Sequence, residues 1–323
     1  MTPPLLVRGG VTVRAAEAAD AADVLAAIHA GFGAREVLDP PSTASDETLA
    51  SVAETLERHG GLVASSEMGP VGALLLEPHD DGLLGMRRVA VHPDAQGLGV
   101  AGALVAAAES LARERGFDGL RVHARAELPR TIRFWRHLGY REVARDGVHL
   151  TLARQLPVTV HAPTAFDTQD VATRLAPLLR RGDLLILSGD LGAGKTTFTQ
   201  GLGAALGVRG QVTSPTFVIS RVHPSLGDGP ALVHVDAYRI STTGSGLIDE
   251  LDDLDLDASL EDSVTVVEWG EGLAEGLDES HLDIRILRAR GDAGALAADE
   301  SRSLELTPVG PRWIGAGLRR ALT

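Results

Sequence analysis

The chain has 323 residues, 44% hydrophobic and 23% charged, with no cysteine and a formal net charge of −14 at pH 7. That length accommodates two domains with separate cores, and the missing thiols exclude disulfides, thiolate catalysis and zinc–sulfur sites. The acidity argues against a broad nucleic-acid-binding surface, because affinity there comes mostly from neutralising phosphates.

No apolar stretch approaches a membrane span, and the start, MTPPLLVRGG, lacks the charged and long apolar regions of a secretory signal. The expectation is a cytoplasmic protein with no membrane partner. In chain order, Leu83 to Val91 reads as a strand and His92-Pro93-Asp94-Ala95 as the turn out of it. Gln96-Gly97-Leu98-Gly99-Val100-Ala101 then opens a long helix running to about Gly116. Strand, glycine turn and helix N-terminus together make an anion site of backbone amides. The pattern has no lysine and no full G-x-G-x-x-G. Taken alone, it fits either a phosphate-like ligand or a helix start whose glycines serve close packing.

MRRVAVHPDAQGLGVAGALV, followed later by RTIRFWRHLGYREV, resembles the GNAT N-acetyltransferase superfamily over about residues 10–156. The resemblance implies a mixed α/β fold that binds acetyl-CoA. It places Val89 and Val91 along the thioester and pantetheine arm. Gln96, Gly97, Leu98, Gly99, Val100, Ala101 and Gly102 would take the pyrophosphate. Many members carry a tyrosine general acid in F-Y-x-x-L-G-F; here the stretch is Phe134-Trp135-Arg136-His137-Leu138-Gly139-Tyr140. Trp135 cannot donate that proton, and Tyr140 falls at the family's packing position. Transfer then uses another acid or solvent, or the domain binds CoA without turnover. Glu127, His123 and Glu54 are bases among which the sequence does not choose, and the acetyl acceptor is unspecified.

Residues 147–156, GVHLTLARQL, read as a strand that ends at Pro157, and VTVHAP begins again beyond it. The boundary is set there, giving domains 1–156 and 157–310 and a tail 311–323, read as a short terminal helix or a loose end.

In the second half, Leu184-Leu185-Ile186-Leu187 is a short buried-strand run, and Thr197 to Leu206 reads as a helix ending at Gly207. Between them, Gly189 to Thr196 spells the phosphate-binding pattern G-x-x-x-x-G-K-[ST]. Lys195 is the only lysine in the chain; every other one of the 30 basic residues is arginine. A compact ammonium fits a loop of amides where a planar guanidinium does not. Asp190, Gly192, Ala193, Gly194, Lys195, Thr196 and Thr197 are therefore the expected phosphate contacts, with the Thr196 hydroxyl on Mg²⁺. Thr213-Ser214-Pro215-Thr216-Phe217 is a polar loop suited to lie beside the γ-phosphate. The strands Ala231–Asp236 and Ser263–Glu268 both end in a carboxylate, and ligands of open α/β sheets bind beyond such ends. Thr196, Asp236 and Glu268 make a sensible Mg²⁺ set, with Glu268 alternatively orienting the attacking water. Trp269 stacks on the base or fills core, and His234 reads as a strand residue rather than a metal ligand. Asp249, Glu250, Asp252, Asp253, Asp255, Asp257, Glu261 and Asp262, with Leu247, Leu251 and Leu254, read as an amphipathic helix with a solvated acidic face, the alternative being a partner-binding surface.

GDLGAGKTTFTQG, TSPTF, HVDAYR and VEWGE together resemble the TsaE family, the small ATPase of tRNA threonylcarbamoyladenosine formation, over about residues 160–310. P-loop ATPases in general do not carry H-x-D-x-Y-R and E-W together. The resemblance implies ATP and Mg²⁺ as ligands, with Lys195 on the phosphates, Thr196 and Glu268 at the metal and Asp236 as a functional acid. It also implies partner subunits of the threonylcarbamoyl-transferring complex, with tRNA reached through them. Where members often have Pro after the Trp, this chain has Gly270. The expected whole is an α/β chain of two domains: a GNAT-like mixed α/β domain, then a P-loop NTPase α/β domain acting as a weak ATPase switch. The other readings are an N-acetyltransferase regulated by its nucleotide-binding half, a non-catalytic acetyl-CoA sensor, and a small-molecule kinase.

Overall fold

The two strands read most clearly from the sequence, Leu83–Val91 and Leu184–Ser188, lie inside two different sheets. The computed structural model describes residues 5–6, 10–35, 38–67, 69–215, 220–238, 261–272, 274–288 and 301–323. It divides into two compact units, Met1–Leu156 and Pro157–Thr323. The acidic segment at 249–257 with its leucines, Thr216, Phe217 and Arg239 lie outside the described residues. Among the described residues, no helix is long and apolar enough to cross a membrane.

Unit one contains β1 (Leu5–Leu6), β2 (Thr12–Ala16), α1 (Ala21–Gly33), α2 (Leu49–Arg58), β3 (Gly61–Ser66), β4 (Gly69–Pro78), β5 (Leu83–Val91), α3 (Val100–Glu114), β6 (Gly119–Arg125), α4 (Pro129–His137), β7 (Arg141–Asp146) and β8 (His149–Gln155). The sheet order is β1-β2-β3-β4-β5-β6-β8-β7. Side chains alternate across a strand, so Leu74 and Leu76 pack with Leu104 and Val105 of α3 on one face. Ala73 and Leu75 pack with Val24 and Ile28 of α1 on the other. Among the described residues of this sheet only β5 and β6 run parallel, and they pair from Leu83↔Gly119 to Met86↔Val122. Beyond Met86 the two strands part as a fork. The β4–β5 register also shifts between Ala73 and Leu75, and Arg88, opposite that shift, has φ 53, rare for a non-glycine residue.

Unit two contains β9 (Val158–Ala162), α5 (Ala165–Leu175), β10 (Leu184–Ser188), α6 (Lys195–Leu206), β11 (Ser220–His223), β12 (Ala231–Asp236), β13 (Ser263–Glu268), β14 (His281–Arg288), β15 (Arg302–Val309) and α7 (Leu318–Leu322). The order β11-β12-β13-β10-β14-β15-β9 puts β10 at the centre, parallel to both neighbours. Phe198 and Leu202 of α6 pack with Val171 and Leu175 of α5 on Leu185, Leu187, Val264 and Val266. Thr164 caps α5 through a reciprocal pair with Asp167, and α6 stops at Gly207, φ 67. Residues 311–323 are not a loose end. Trp313, Leu318 and Leu322 belong to the same core, and Arg312 forks onto Asp183 at 2.7 and 2.6 Å.

Candidate functional site

The phosphate loop leaves β10 at Gly189, whose φ of 139 and closeness to the Ile286 carbonyl leave no room for a Cβ. Gly194, φ 115, is the N-cap of α6. The first-turn amides of this 12-residue helix are donors that no helical carbonyl satisfies, and they carry the positive end of its dipole. Lys195 is 4% exposed, and its ammonium donates to the carbonyls of Gly189 (2.8 Å) and Asp190 (3.1 Å). The Trp269 ring covers it at 3.7 Å. Burial pulls the Lys195 pKa down, against the opposing pull of Glu268, Asp236 and Asp190. Asp190 and Gly192 are exposed, Ala193 is buried, and Thr196 and Thr197 are half-buried in the first turn of α6.

Three strand ends converge here because β12, β13 and β10 are consecutive neighbours: Asp236 pairs with Glu268, and Leu187 with Glu268. Glu268, 3% exposed, accepts from the Thr196 hydroxyl at 3.0 Å on Oε1, with Oε2 at 3.4 Å from the same hydroxyl. His234 Nε2 lies 2.8 Å from the same Oε1. Asp236 accepts from the Ser214 hydroxyl at 3.4 Å and from the Tyr238 amide at 3.1 Å. Trp269 has φ 61 and lies 5.3 Å from the Tyr238 ring. Backbone strain of this kind gathers at ligand sites. Lys195, Thr196, Asp236, Glu268 and Trp269 thus come together. Neither the His234 contact nor Arg302, whose Nε donates to Ala193 O at 3.0 Å, had a signal in the sequence.

The donor set fits a metal–nucleotide complex. Among the described residues, no three acidic or imidazole side chains gather into a metal cluster. A buried carboxylate joined to the loop threonine, beside unsatisfied amides, suits a hard cation that takes most of its ligands from phosphate and water.

In unit one, Val89 and Val91 lie on the free arm of the β5–β6 fork, and Arg35 donates to Val89 O at 3.0 Å. Gly97 and Gly99 have φ of 81 and 84, Gly99 caps α3, and Gln96 to Gly99 are exposed at the mouth of the helix. Val100, Ala101 and Gly102 form its first turn. Arginines on both arms hold a strap over the fork. Arg88 donates to Glu47 (2.8 Å) and Thr43 (3.0 Å), and Arg125 to the carbonyls of Asp39 (2.8 Å) and Pro40 (2.9 Å). A cavity of about 330 Å³ lies between this strap and the end of α1, with Phe32, Arg35, Leu38 and Pro41 in its wall. Trp135 and Tyr140 pack edge to face at 5.0 Å in the core, and burial pushes the Tyr140 pKa far up. Neither is placed to supply a proton to the fork. Arg125 holds the Glu127 carboxyl below the usual range. His123, lowered by burial and then by Arg121, contacts Thr151, and Glu54 pairs with Arg58 on the surface.

The family model for "Threonylcarbamoyl adenosine biosynthesis protein TsaE" matches residues 162–295, and that of the GNAT acetyltransferase family matches residues 33–140. The chain is 64% identical over 148 residues to the tRNA threonylcarbamoyladenosine biosynthesis protein TsaE of Streptomyces coelicolor, covering 46% of this chain and 95% of that protein. The protein of the same name from Mycobacterium bovis is 52% identical over 132 residues, covering 40% of this chain and 79% of its own. Among solved structures, the PaiA N-acetyltransferase of Thermoplasma acidophilum in complex with coenzyme A is 12% identical, covering 45% of this chain and 99% of that one, at a TM-score of 0.41. The fold is α/β in both units, GNAT-like in the first and P-loop NTPase-like in the second.

Proposed function

The chain belongs to the TsaE family through its second unit, and on that premise we propose that this unit is a Mg²⁺-dependent ATPase serving tRNA threonylcarbamoyladenosine biosynthesis. It works in the cytoplasm with the other subunits of the threonylcarbamoyl-transferring complex, and reaches tRNA through them. The observation that carries this reading is the Thr196–Glu268 hydrogen bond beneath a phosphate loop whose lysine is already buried.

In this reading Lys195 and the amides of Asp190 to Thr197 bind the phosphates. Lys195 leaves the Gly189 and Asp190 carbonyls for the β/γ-phosphate oxygens, with Trp269 covering it or the base. Thr196 and Glu268 would hold Mg²⁺, which would supply charge neutralisation on the transferring phosphoryl group. Asp236, tied to Ser214, links the metal side to the loop that begins at Thr213. Rate comes from positioning and charge neutralisation rather than covalent chemistry. Loss of the γ-phosphate then releases the loop, which is how a weak ATPase serves as a switch.

For unit one the reading is an acetyl-CoA-dependent N-acetyltransferase. Val89 and Val91 would line the acyl arm, and Gln96 to Gly102 the pyrophosphate. The open fork and the unsatisfied amides at the start of α3 support it. No proton donor is assigned, because Trp135 and Tyr140 are buried in the core.

The test is mass spectrometry of tRNA nucleosides from cells depleted of the protein and complemented with the full chain, Lys195→Ala, or residues 157–323. The reading predicts loss of threonylcarbamoyladenosine on depletion and its return with the full chain but not the alanine variant. An unchanged modification rejects the tRNA assignment and leaves an acetyltransferase regulated by its nucleotide-binding unit.

A further inference from the structure

We propose that His234 is a positioning residue for Glu268, holding the carboxylate in the orientation that Mg²⁺·ATP requires. The proposal rests on the reading of Glu268 as the metal-side acid. His234 is wholly buried on β12, and its Nε2 is 2.8 Å from Glu268 Oε1. An ionised carboxylate only accepts, so Nε2 carries the proton and donates. Among the described residues, Nδ1 is buried with no hydrogen-bond partner. Nε2 is thus the ring nitrogen that is engaged, and its partner is Glu268.

The consequence lies in how the donors divide. Thr196 and His234 both converge on Oε1, while among the described residues Oε2 has only the longer 3.4 Å approach of the Thr196 hydroxyl. Rotation about the last torsion of a glutamate is soft, so a single donor would not fix which oxygen faces the loop. The Thr196 hydroxyl is the less constrained anchor, because its rotor must also suit the cation that its lone pairs are expected to face. His234 is wholly buried two residues short of the end of β12, where neither nucleotide nor metal is expected to compete for it. It therefore keeps Oε1 engaged whatever Thr196 does, leaving Oε2 for the cation or its water. Outer-shell partners of metal ligands act in this way and are worth about 10–100-fold in metal affinity or activity.

Strand pairing extends the effect. His234 and Asp236 lie two residues apart on one face of β12, and Asp236 is directly opposite Glu268. One strand therefore carries both the group that holds the metal-side acid and the group that holds Ser214 of the segment after α6. A purely structural role, filling core with an imidazole, predicts no link to the metal.

The test uses the full chain with His234→Leu, which keeps bulk without the donor, and His234→Gln, whose amide can donate from a similar position. Direct ATP titration by calorimetry is run with Mg²⁺ and with EDTA, alongside thermal unfolding without nucleotide. His234→Leu should weaken ATP binding at least about tenfold in Mg²⁺, leave binding in EDTA unchanged and lower kcat more than it raises KM. His234→Gln should stay within about threefold of the parent, since the donor is restored. Equal losses with and without Mg²⁺, no loss, or no rescue by glutamine each overturn the proposal. If the parent chain shows no Mg²⁺-dependent binding, the metal reading fails and this inference fails with it. Should the leucine variant not fold, long-range ¹H–¹⁵N spectra of the parent decide: the Nε2–H tautomer is expected, and an Nδ1–H tautomer rejects it.

Discussion

The Thr196 hydroxyl donates to Glu268 Oε1 at 3.0 Å, joining the first turn of α6 to the end of β13 across 72 residues of sequence. A hydroxyl whose proton is committed to a carboxylate presents its lone pairs outward, the state in which it ligates a cation. Thr196→Val removes the proposed Mg²⁺ ligand and one donor of Glu268 while keeping shape. ATP affinity in Mg²⁺ should fall about 10–100-fold and affinity in EDTA should change little, both read by calorimetry. Thr196→Ser should retain most of the metal dependence. The nucleotide-free stability of the valine variant should fall by only about 1 kcal/mol, because His234 still satisfies Glu268.

Lys195 gives a pH prediction that no second lysine confuses. Burial lowers its folded pKa below the ordinary lysine value. The unfolded chain therefore binds the proton more tightly, and stability rises with pH from the folded pKa up to the ordinary value of about 10.4. Denaturant titrations across that window should show this slope in the parent and lose it in Lys195→Met. An amine-reactive reagent should modify Lys195 at lower pH than a free lysine side chain, and ATP should protect it. A labelling profile matching that of free lysine would count against the buried ammonium.

Most of the loop was legible because its information is local. Gly189, Gly194 and Lys195 stand at fixed spacing, and the strand before them is a continuous apolar run. What the sequence could not carry was lateral order. His234 meets Glu268 only because β12 lies beside β13, and Arg302 meets Ala193 from 109 residues away. The Arg88–Glu47 and Arg125–Asp39 contacts likewise span 41 and 86 residues. The tail was ambiguous because LRRALT is too short for periodicity to decide, and its burial depends on Trp313 filling a core that local sequence does not reveal.

Trp269 should act as a built-in reporter. Trp135 and Trp313 are 3% and 2% exposed in the two cores, whereas Trp269 is half-buried against the Lys195 ammonium. When ATP draws that ammonium onto phosphate, the cation leaves the ring face and the indole environment changes. Tryptophan emission should shift on ATP addition and stay unchanged in Trp269→Phe and Lys195→Met. A full signal in Trp269→Phe would place the change elsewhere.

The C-terminal residues should be indispensable to unit two. Trp313→Ala in the full chain removes a wholly buried indole and should cost about 3–5 kcal/mol. Deleting 311–323 also strips Leu318, Leu322 and the Arg312 partner of buried Asp183. Leaving a buried carboxylate without its arginine costs about 3–5 kcal/mol in addition, a loss comparable to the whole stability of a domain. Thermal unfolding should show the transition of this unit lowered in Trp313→Ala and absent in the truncation. A truncated chain that still melts cooperatively in both units would contradict the core assignment.

Glu47 should make unit one acid-sensitive. Burial pushes its carboxyl up, but the Ser51 hydroxyl, Arg88 and Arg87 together outweigh that and hold its pKa below the ordinary glutamate value. A depressed folded pKa contributes stability that is complete above the unfolded value, near 4.3, and is lost as pH falls through the folded value. Glu47→Gln removes that dependence, and its loss of a charged hydrogen bond should cost about 1.5–3 kcal/mol at neutral pH. The strap over the fork is held through this carboxylate, since Arg88 reaches Glu47 and Thr43 with one side chain. Arg88 also occupies a left-handed backbone conformation, φ 53, which costs of order 1–3 kcal/mol for a non-glycine residue. Arg88→Gly would relieve the backbone but release the strap. Urea titrations of the parent, Glu47→Gln and Arg88→Gly from neutral pH to well below the unfolded value of about 4.3 should therefore show two things: the parent loses stability toward acid, while both variants start lower and fall less steeply.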